Sequence, residues 1–438
     1  MKQPCLLLSL LLLLACQGGE PADTASASVP DALLPTQDPD APATAGVDGI
    51  SVPAGFAVSL FAEGVGRARH LAVRANGDVY VRLQSPQAGH CAVALRDDNG
   101  DGQADTITPF DSGECGTGMR ATADYLYFSS DTTVYRAPFV NNQLLPGPRE
   151  TLVENLGDLP SHQARSLALD GKGGLYVNVG APSNACQVDD RQPGSPGQDP
   201  CPLLEAYGGI YRFDAAKAGQ DKIRDGQRYA TGIRNAVALN WHSDLNQLYL
   251  VQHGRDQLNT LYPDLYSAEQ NASLPAEEFL QVSQGDDFGW PYCYYDPFAQ
   301  QRVLAPEYGG DGKSVGRCAQ YKAPALDFPA HYAPNDLLFY QGSQFPESYR
   351  QGAFIAFHGS WNRQPLQQEG YQVVFAPFAE GKPSGKWRVF ADGFAGPGPI
   401  QRSGDARYRP MGVAEGPDGS LYVADSKQGR IWRITYPG

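Results

Sequence analysis

Residues 160–169 read Pro-Ser-His-Gln-Ala-Arg-Ser-Leu-Ala-Leu, which sets His162 just ahead of a short apolar strand. An imidazole ionises near neutral pH, so a histidine on such a loop has the chemistry of a general base. Taken alone, it is more often a packing residue. Two further segments share its placement, Thr231-Gly-Ile-Arg234-Asn235 and Arg407-Tyr-Arg409-Pro, each running into an apolar strand. Guanidinium forks pair with carboxylate or phosphate, and in an acidic chain a gathering of arginines points to an anionic ligand. The plainer alternative pairs each arginine with an acid of its own domain. Phe354-Ile-Ala-Phe-His358-Gly-Ser-Trp361-Asn362-Arg363 adds an indole that would stack on a planar ring or a sugar face, flanked by polar donors. Packing of Trp361 in the interior is an equal reading. Leu250-Val-Gln-His253-Gly254-Arg255-Asp256 has the same strand-then-loop character and the same ambiguity.

Asp97, Asn99, Asp101 and Asp105 stand at positions 1, 3, 5 and 9 of a calcium-type loop with Gly102 at the turn, but position 12 is Thr108 rather than Glu. A structural Ca²⁺ site and a solvated acidic turn both fit. The chain has no Gly-x-Gly-x-x-Gly, Walker loop, His-Glu-x-x-His or Gly-x-Ser-x-Gly, so the common nucleotide, zinc-protease and lipase signatures find no support.

The elements that must carry these loops recur. Six stretches share one grammar: a short apolar strand, a polar turn with Gly or Asp, and a strand rich in Tyr, Val and Leu. They begin near His70, Met119, Ser166, Val237, Leu337 and Gly412, at an early spacing of roughly 48 residues. An all-β, six-bladed β-propeller over residues 51–438 is the economical reading, with an insertion at about 261–334 that would shape a pocket over the channel. A pair of β-sandwiches matches the strand content and leaves the repeated turns unexplained.

The 49 Gly, 35 Pro and 23 Tyr agree with short strands and tight turns rather than a helical bundle. A net charge of −14 disfavours a nucleic-acid partner. Residues 1–16 combine Lys2, a leucine run too short to span a bilayer, and Leu-Leu-Ala-Cys16, the pattern of an export signal whose cysteine is lipidated. An ordinary cleaved signal is the alternative. Residues 17–50 hold six acids and no Lys or Arg, and are expected to form a tether. This places the protein in the periplasm as an outer-membrane lipoprotein, membrane-attached through its lipid alone. Setting aside Lys2 and those acids leaves 33 basic and 42 acidic residues. An exported chain with six remaining cysteines suggests disulfides, and neighbours in sequence pair as Cys91 with Cys115, Cys186 with Cys201 and Cys293 with Cys318.

Taken together, Phe357-His-Gly-Ser-Trp-Asn-Arg363, Phe288-Gly-Trp-Pro-Tyr-Cys293, Ala305-Pro-Glu-Tyr-Gly-Gly-Asp311 and Tyr408-Arg-Pro-Met-Gly412 resemble the quinoprotein sugar dehydrogenases, and within them the sorbosone and pyranose dehydrogenase branch. The resemblance runs from about Val52 to Tyr436. It implies pyrroloquinoline quinone (PQQ) and Ca²⁺ as cofactors, a sugar as substrate, and oxidation of its anomeric hydroxyl to the lactone. Hydride would pass to the quinone, and the electrons to a separate cytochrome or quinone. By the same resemblance His162 is the catalytic histidine, while Arg234 and Asn235 stand beside the quinone carbonyl. His358, Trp361 and Asn362 would lie against the cofactor, and Arg407 and Arg409 would hold its carboxylates. The main-chain carbonyls of Gly254 and Arg255 would bind Ca²⁺. The chain departs from the pattern at Ala181, where the glucose enzymes have Asp, and at Gln372, where the branch often has Lys. The alternatives are a propeller lactonase and a non-catalytic propeller that binds sugars or proteins.

Overall fold

The computed structural model describes Met1 and residues 44–437. Residues 1–16 with the lipidation site Cys16, and the tether as far as residue 43, lie outside this range apart from Met1. The fold is a six-bladed β-propeller. Its innermost strands are Ala68–Val73, Met119–Ala121, Leu167–Leu169, Ala238–His242, Pro334–Phe339 and Pro410–Glu415, one to each of blades 1 to 6. Each touches the innermost strand of the next blade, and the ring closes from blade 6 to blade 1. These are the strands that open the six sequence repeats.

Local chemistry explains the repeated turns. Asp170 Oδ1 accepts hydrogen bonds from the amides of Lys172 and Gly174, each 2.7 Å long, and closes the blade 3 hairpin as an Asx turn does. In the equivalent blade 6 turn Gly419 has φ +82°, which a residue with a Cβ adopts only under strain. Between blades, apolar faces interdigitate. Tyr176 of blade 3 stacks on Trp241 of blade 4 with ring centroids 5.0 Å apart, in a cluster with Ile210, Leu239 and Leu248.

Closure of the ring uses both ends of the propeller chain. Ala57–Ala62 forms the outer strand of blade 6 and pairs antiparallel with Ile431–Thr435. The expected tether ends earlier than residue 50. Ile50 is buried in the core shared by blades 5 and 6, and the Asp48 carboxylate takes hydrogen bonds from Arg430 and from Trp432 Nε1 at 3.0 Å. Cationic and indole partners fasten an acid that composition alone assigns to a solvated linker.

The stretch 261–334 is likewise not one insertion. It contains two strands of blade 4, Glu277–Val282 and Leu326–Phe328. The added structure is a pair of short helices, Leu258–Leu261 and Ala268–Ser273, and a hairpin of Cys293–Asp296 with Gln301–Leu304. The three disulfides among the described residues join neighbours in sequence, Cys91–Cys115, Cys186–Cys201 and Cys293–Cys318. The last two share an apolar cluster with Ala181 and Trp290, so the blade 3 loop and the hairpin are stapled and packed together.

Candidate active site

In an antiparallel blade the start of the first strand and the end of the second lie on the same face of the propeller. Loops leading into blades 3, 4 and 6, and those following the second strands of blades 3, 4 and 5, therefore meet around one mouth of the channel. His162, Arg234, Asn235, Gly254 and Arg409 belong to these loops, and His358 ends the second strand of blade 5 at the same mouth. The Asp97–Asp105 loop joins the third and fourth strands of blade 1 and so belongs to the opposite face. Its oxygens are engaged locally: Asp97 Oδ1 accepts from the Gly100 amide (2.7 Å), Oδ2 from Gly102 (2.8 Å), and Asp105 Oδ2 from Asp98 (2.8 Å). Among the described residues no three His, Cys, Asp or Glu side chains gather as a metal-ligand set.

His162 sits in the left-handed region at φ +54°, with Nδ1 2.5 Å from the carbonyl oxygen of Ala181. A carbonyl only accepts, so Nδ1 carries the proton and Nε2 keeps its lone pair. The His162 carbonyl is fastened by Arg165 Nη1 at 3.1 Å. Gly180 makes this approach sterically feasible. A Cβ there would lie 2.8 Å from His162 Cβ and 3.0 Å from Asn235 Oδ1. Burial, with the nearby Arg234 charge, holds His162 well below the ordinary histidine range.

Arg234 is buried and doubly tied. Nη2 donates to Asp256 Oδ2 (2.7 Å) and to Asn184 Oδ1 (2.9 Å), while its carbonyl accepts from the Ala181 amide (2.8 Å). Burial raises the Asp256 pKa, but Arg234 and Arg191 outweigh it and hold the carboxylate below its usual range. Asn235 Oδ1 accepts from Asn178 Nδ2 (3.0 Å). The amide of Gly254 donates to Glu277 Oε2 at 2.8 Å, and the Arg255 side chain pairs with Glu307. Neither the Gly254 nor the Arg255 carbonyl accepts a hydrogen bond from a described group. Glu277 is buried, and burial pushes its carboxyl up to about 8.

On the other side of the mouth His358 Nε2 lies 2.7 Å from Ser426 Oγ. Burial first, and then Arg409 and Arg69, keep this imidazole well below its ordinary range. Arg409 is fixed through Nε to the His358 carbonyl (2.9 Å) and through Nη2 to the Gly359 carbonyl (2.7 Å). Arg407 is placed differently. It is half-exposed and reaches the Asp48 carbonyl (3.1 Å), turned toward the outer strands of blade 6 rather than toward His358. Residues two apart on an irregular loop need not share a face, and Asp48 is the nearer anion. Trp361 is 54 % exposed on a loop held down by Arg363, which donates to the Ala272 carbonyl (2.7 Å) and Glu369 (2.8 Å). The Asn362 carbonyl accepts from Asn271 (3.0 Å), while its buried Nδ2 has no partner.

Sequence reasoning missed Gly180, Asn184, Glu277 and Arg69. Arg69 joins the basic group around Arg409 and His358. Burial brings it down to about 10 against the pull of Asp131, and Arg67 and Arg409 add like charge. Its position just ahead of His70 in the first repeat is the signal that would have found it.

The family profile described as TrAA12-like matches residues 50–437. The chain belongs to the TrAA12-like family. A pyrroloquinoline quinone-dependent pyranose dehydrogenase of Coprinopsis cinerea is 26 % identical over 265 residues, covering 54 % of this chain and 32 % of that protein. The chain spans from about a third to a half of the length of the curated relatives it matches. Two solved structures share the propeller. The calcium structure of the Trichoderma reesei family AA12 enzyme has a TM-score of 0.71 at 20 % identity, over 91 % of this chain and 98 % of that one. The holo PQQ domain of the Coprinopsis cinerea pyranose dehydrogenase has 0.70 at 19 %, over 91 % and 99 %. At such identities the TrAA12-like chains have a common scaffold, and the chemistry must be argued from the residues at the channel mouth.

Proposed function

We propose that this protein is a quinoprotein sugar dehydrogenase that oxidises the anomeric hydroxyl of an aldose or pyranose to its lactone. The observation that carries this reading is the His162 imidazole, tied at Nδ1 to the Ala181 carbonyl and neutral, with Arg234 close by. The family to which the chain belongs supports it.

The residues fit both cofactors. A tricarboxylate calls for cations, and the mouth supplies Arg69, Arg234 and Arg409. A hard divalent cation calls for oxygens, and the Gly254 and Arg255 carbonyls have no hydrogen-bond partner among the described residues. When bound, PQQ supplies a two-electron oxidant and Ca²⁺ polarises it as a Lewis acid. His162 Nε2 takes the proton of the substrate hydroxyl. The Ala181 carbonyl holds the ring in the tautomer that can do so. Arg234 and Asn235 provide positive charge and amide dipole around the same point, where they stabilise developing negative charge. Arg409 orients an anionic group at the far side of the mouth, and the exposed indole of Trp361 offers an apolar face to a sugar. Electrons then leave to a separate cytochrome or quinone.

The three disulfides agree with an extracytoplasmic location. We extend the reading to a periplasmic, outer-membrane lipoprotein anchored at Cys16. Cys16→Ser then releases the protein from membranes with sugar oxidation intact, and an unchanged protein found freely soluble refutes the anchor. A lactonase would ask for metal-binding carboxylates over the channel, and the described residues gather no such set. The deciding experiment is reconstitution with PQQ and Ca²⁺ followed by dye reduction across a panel of sugars. Cofactor-dependent reduction is expected. Its absence with every sugar, in protein shown to have bound PQQ, refutes the dehydrogenase.

A further inference from the structure

Asn184 lies on the loop after the second strand of blade 3 and is fully buried. Its Oδ1 accepts from Arg234 Nη2 and from the Asp256 amide, both at 2.9 Å. Its Nδ2 donates to the Asp256 carbonyl at 3.0 Å. The main-chain carbonyl of Asn184 takes Trp290 Nε1 (2.9 Å) and Arg234 Nε (3.3 Å), and its amide donates to Asp190 Oδ1 (2.9 Å). One side chain thus grips the backbone of Asp256 on both sides while also holding the arginine that Asp256 neutralises.

Only an amide of this length can do so. Aspartate lacks the donor for the Asp256 carbonyl and would add a second anion beside that carboxylate. Serine is too short, and leucine has neither group. The loop is itself anchored by the Cys186–Cys201 disulfide two residues on, and by Ser183, whose Oγ donates to Asp190 at 2.7 Å. Ala181, three residues before Asn184, joins His162 through its carbonyl and Arg234 through its amide.

We propose that Asn184 is the positioning residue that locks Arg234 and the Gly254–Asp256 loop into one unit, so that the guanidinium and the two unpartnered carbonyls keep a fixed spacing from His162. The Gly254–Asp256 part rests on the dehydrogenase reading, because its measure is cofactor affinity. The Arg234 part does not.

The test uses the full chain. In cofactor-free protein the His162 imidazole is titrated by NMR, assigned by its loss in His162→Asn. The charged and titratable groups facing it are Arg234, Asp256 and His253. In Asn184→Ala the Asp256 loop loses its side-chain clamp, Arg234 shifts with its Asp256 partner, and the His162 midpoint rises toward its ordinary 6.5. Leu152→Ala, a buried blade 2 variant, lowers stability and leaves the midpoint in place. An unchanged midpoint in folded Asn184→Ala overturns the proposal. If Asn184→Ala does not fold, Asn184→Ser, neutral and too short for these bonds, is judged by the same midpoint. PQQ affinity is then measured by fluorescence titration at saturating Ca²⁺. Loss of hydrogen bonds to buried charged groups predicts at least about tenfold weaker binding in Asn184→Ala. A shifted midpoint with unweakened PQQ binding removes the Gly254–Asp256 loop from the proposal. If the unchanged protein binds no PQQ, the dehydrogenase reading fails, and the midpoint alone still decides the role of Asn184.

Discussion

The Nδ1 of His162 lies 2.5 Å from the carbonyl oxygen of Ala181, at the position where the glucose-enzyme pattern carries an aspartate. The carbonyl fixes the tautomer and by itself favours the charged ring, but burial first, and then the Arg234 charge, outweigh it. His162 therefore stays a free base. His162→Ala should lower turnover by about 10²–10⁴-fold and leave PQQ affinity near that of the unchanged protein. Cofactor titration followed by turnover at saturation checks this. Full activity regained with excess PQQ would make the histidine a binding or structural residue.

Gly180→Ala tests the same geometry from the other side. The added methyl meets His162 Cβ at 2.8 Å, its carbonyl at 2.9 Å and Asn235 Oδ1 at 3.0 Å, so one of these groups must shift. A displaced base loses its reach, and turnover should fall at least about tenfold, while the melting temperature drops by only a few degrees. Turnover equal to that of the unchanged protein would show that His162 tolerates displacement.

The two arginines of the Arg407-Tyr-Arg409 string should separate. Arg409 is fixed at the channel mouth by the His358 and Gly359 carbonyls, whereas Arg407 is spent on Asp48. Arg409→Ala should weaken PQQ binding by about 10–100-fold, the scale of a lost charged hydrogen bond. Arg407→Ala should change it by less than about threefold, as suits an exposed ion pair. Isothermal titration of both variants distinguishes them, and a larger loss in Arg407→Ala would reverse the assignment.

The blades were readable because each repeat writes its own strand, Asx or Gly turn and second strand within a dozen residues. Pairing of Ala57–Ala62 with Ile431–Thr435 was not, since its partner lies at the other end of the chain and no local pattern announces it. The same distinction holds at the site. His162, Arg234 and Arg409 announce themselves by preceding repeat strands. Asn184 acts through bonds to residues 50 and 72 positions away, and in the string Pro-Ser-Asn-Ala-Cys it looks like ordinary loop composition. Arg407 and Arg409 are indistinguishable until Asp48, itself read as linker, is seen to be part of the folded domain.

Acid destabilises the fold through histidines buried in their neutral form. His70 stands in the channel with Nε2 2.7 Å from the Asn335 carbonyl, and Asp336 and Arg120 are close by. Burial takes it from 6.5 down to about 4. An unfolded chain binds a proton at this histidine below 6.5, while the folded chain refuses it until about 4. In that window the unfolded state holds more protons, so its share of stability is complete above 6.5 and is lost as the pH falls. The slope is up to about 1.4 kcal/mol per pH unit for one histidine. His253, also brought down to about 4 by burial, acts with the same sign. Urea unfolding across this window should therefore show His70→Gln losing stability more slowly with acid than the unchanged protein, the two slopes differing by about that amount at most. Parallel slopes would mean that His70 is protonated in the folded channel, paired with Asp336 and not neutral against the Asn335 carbonyl.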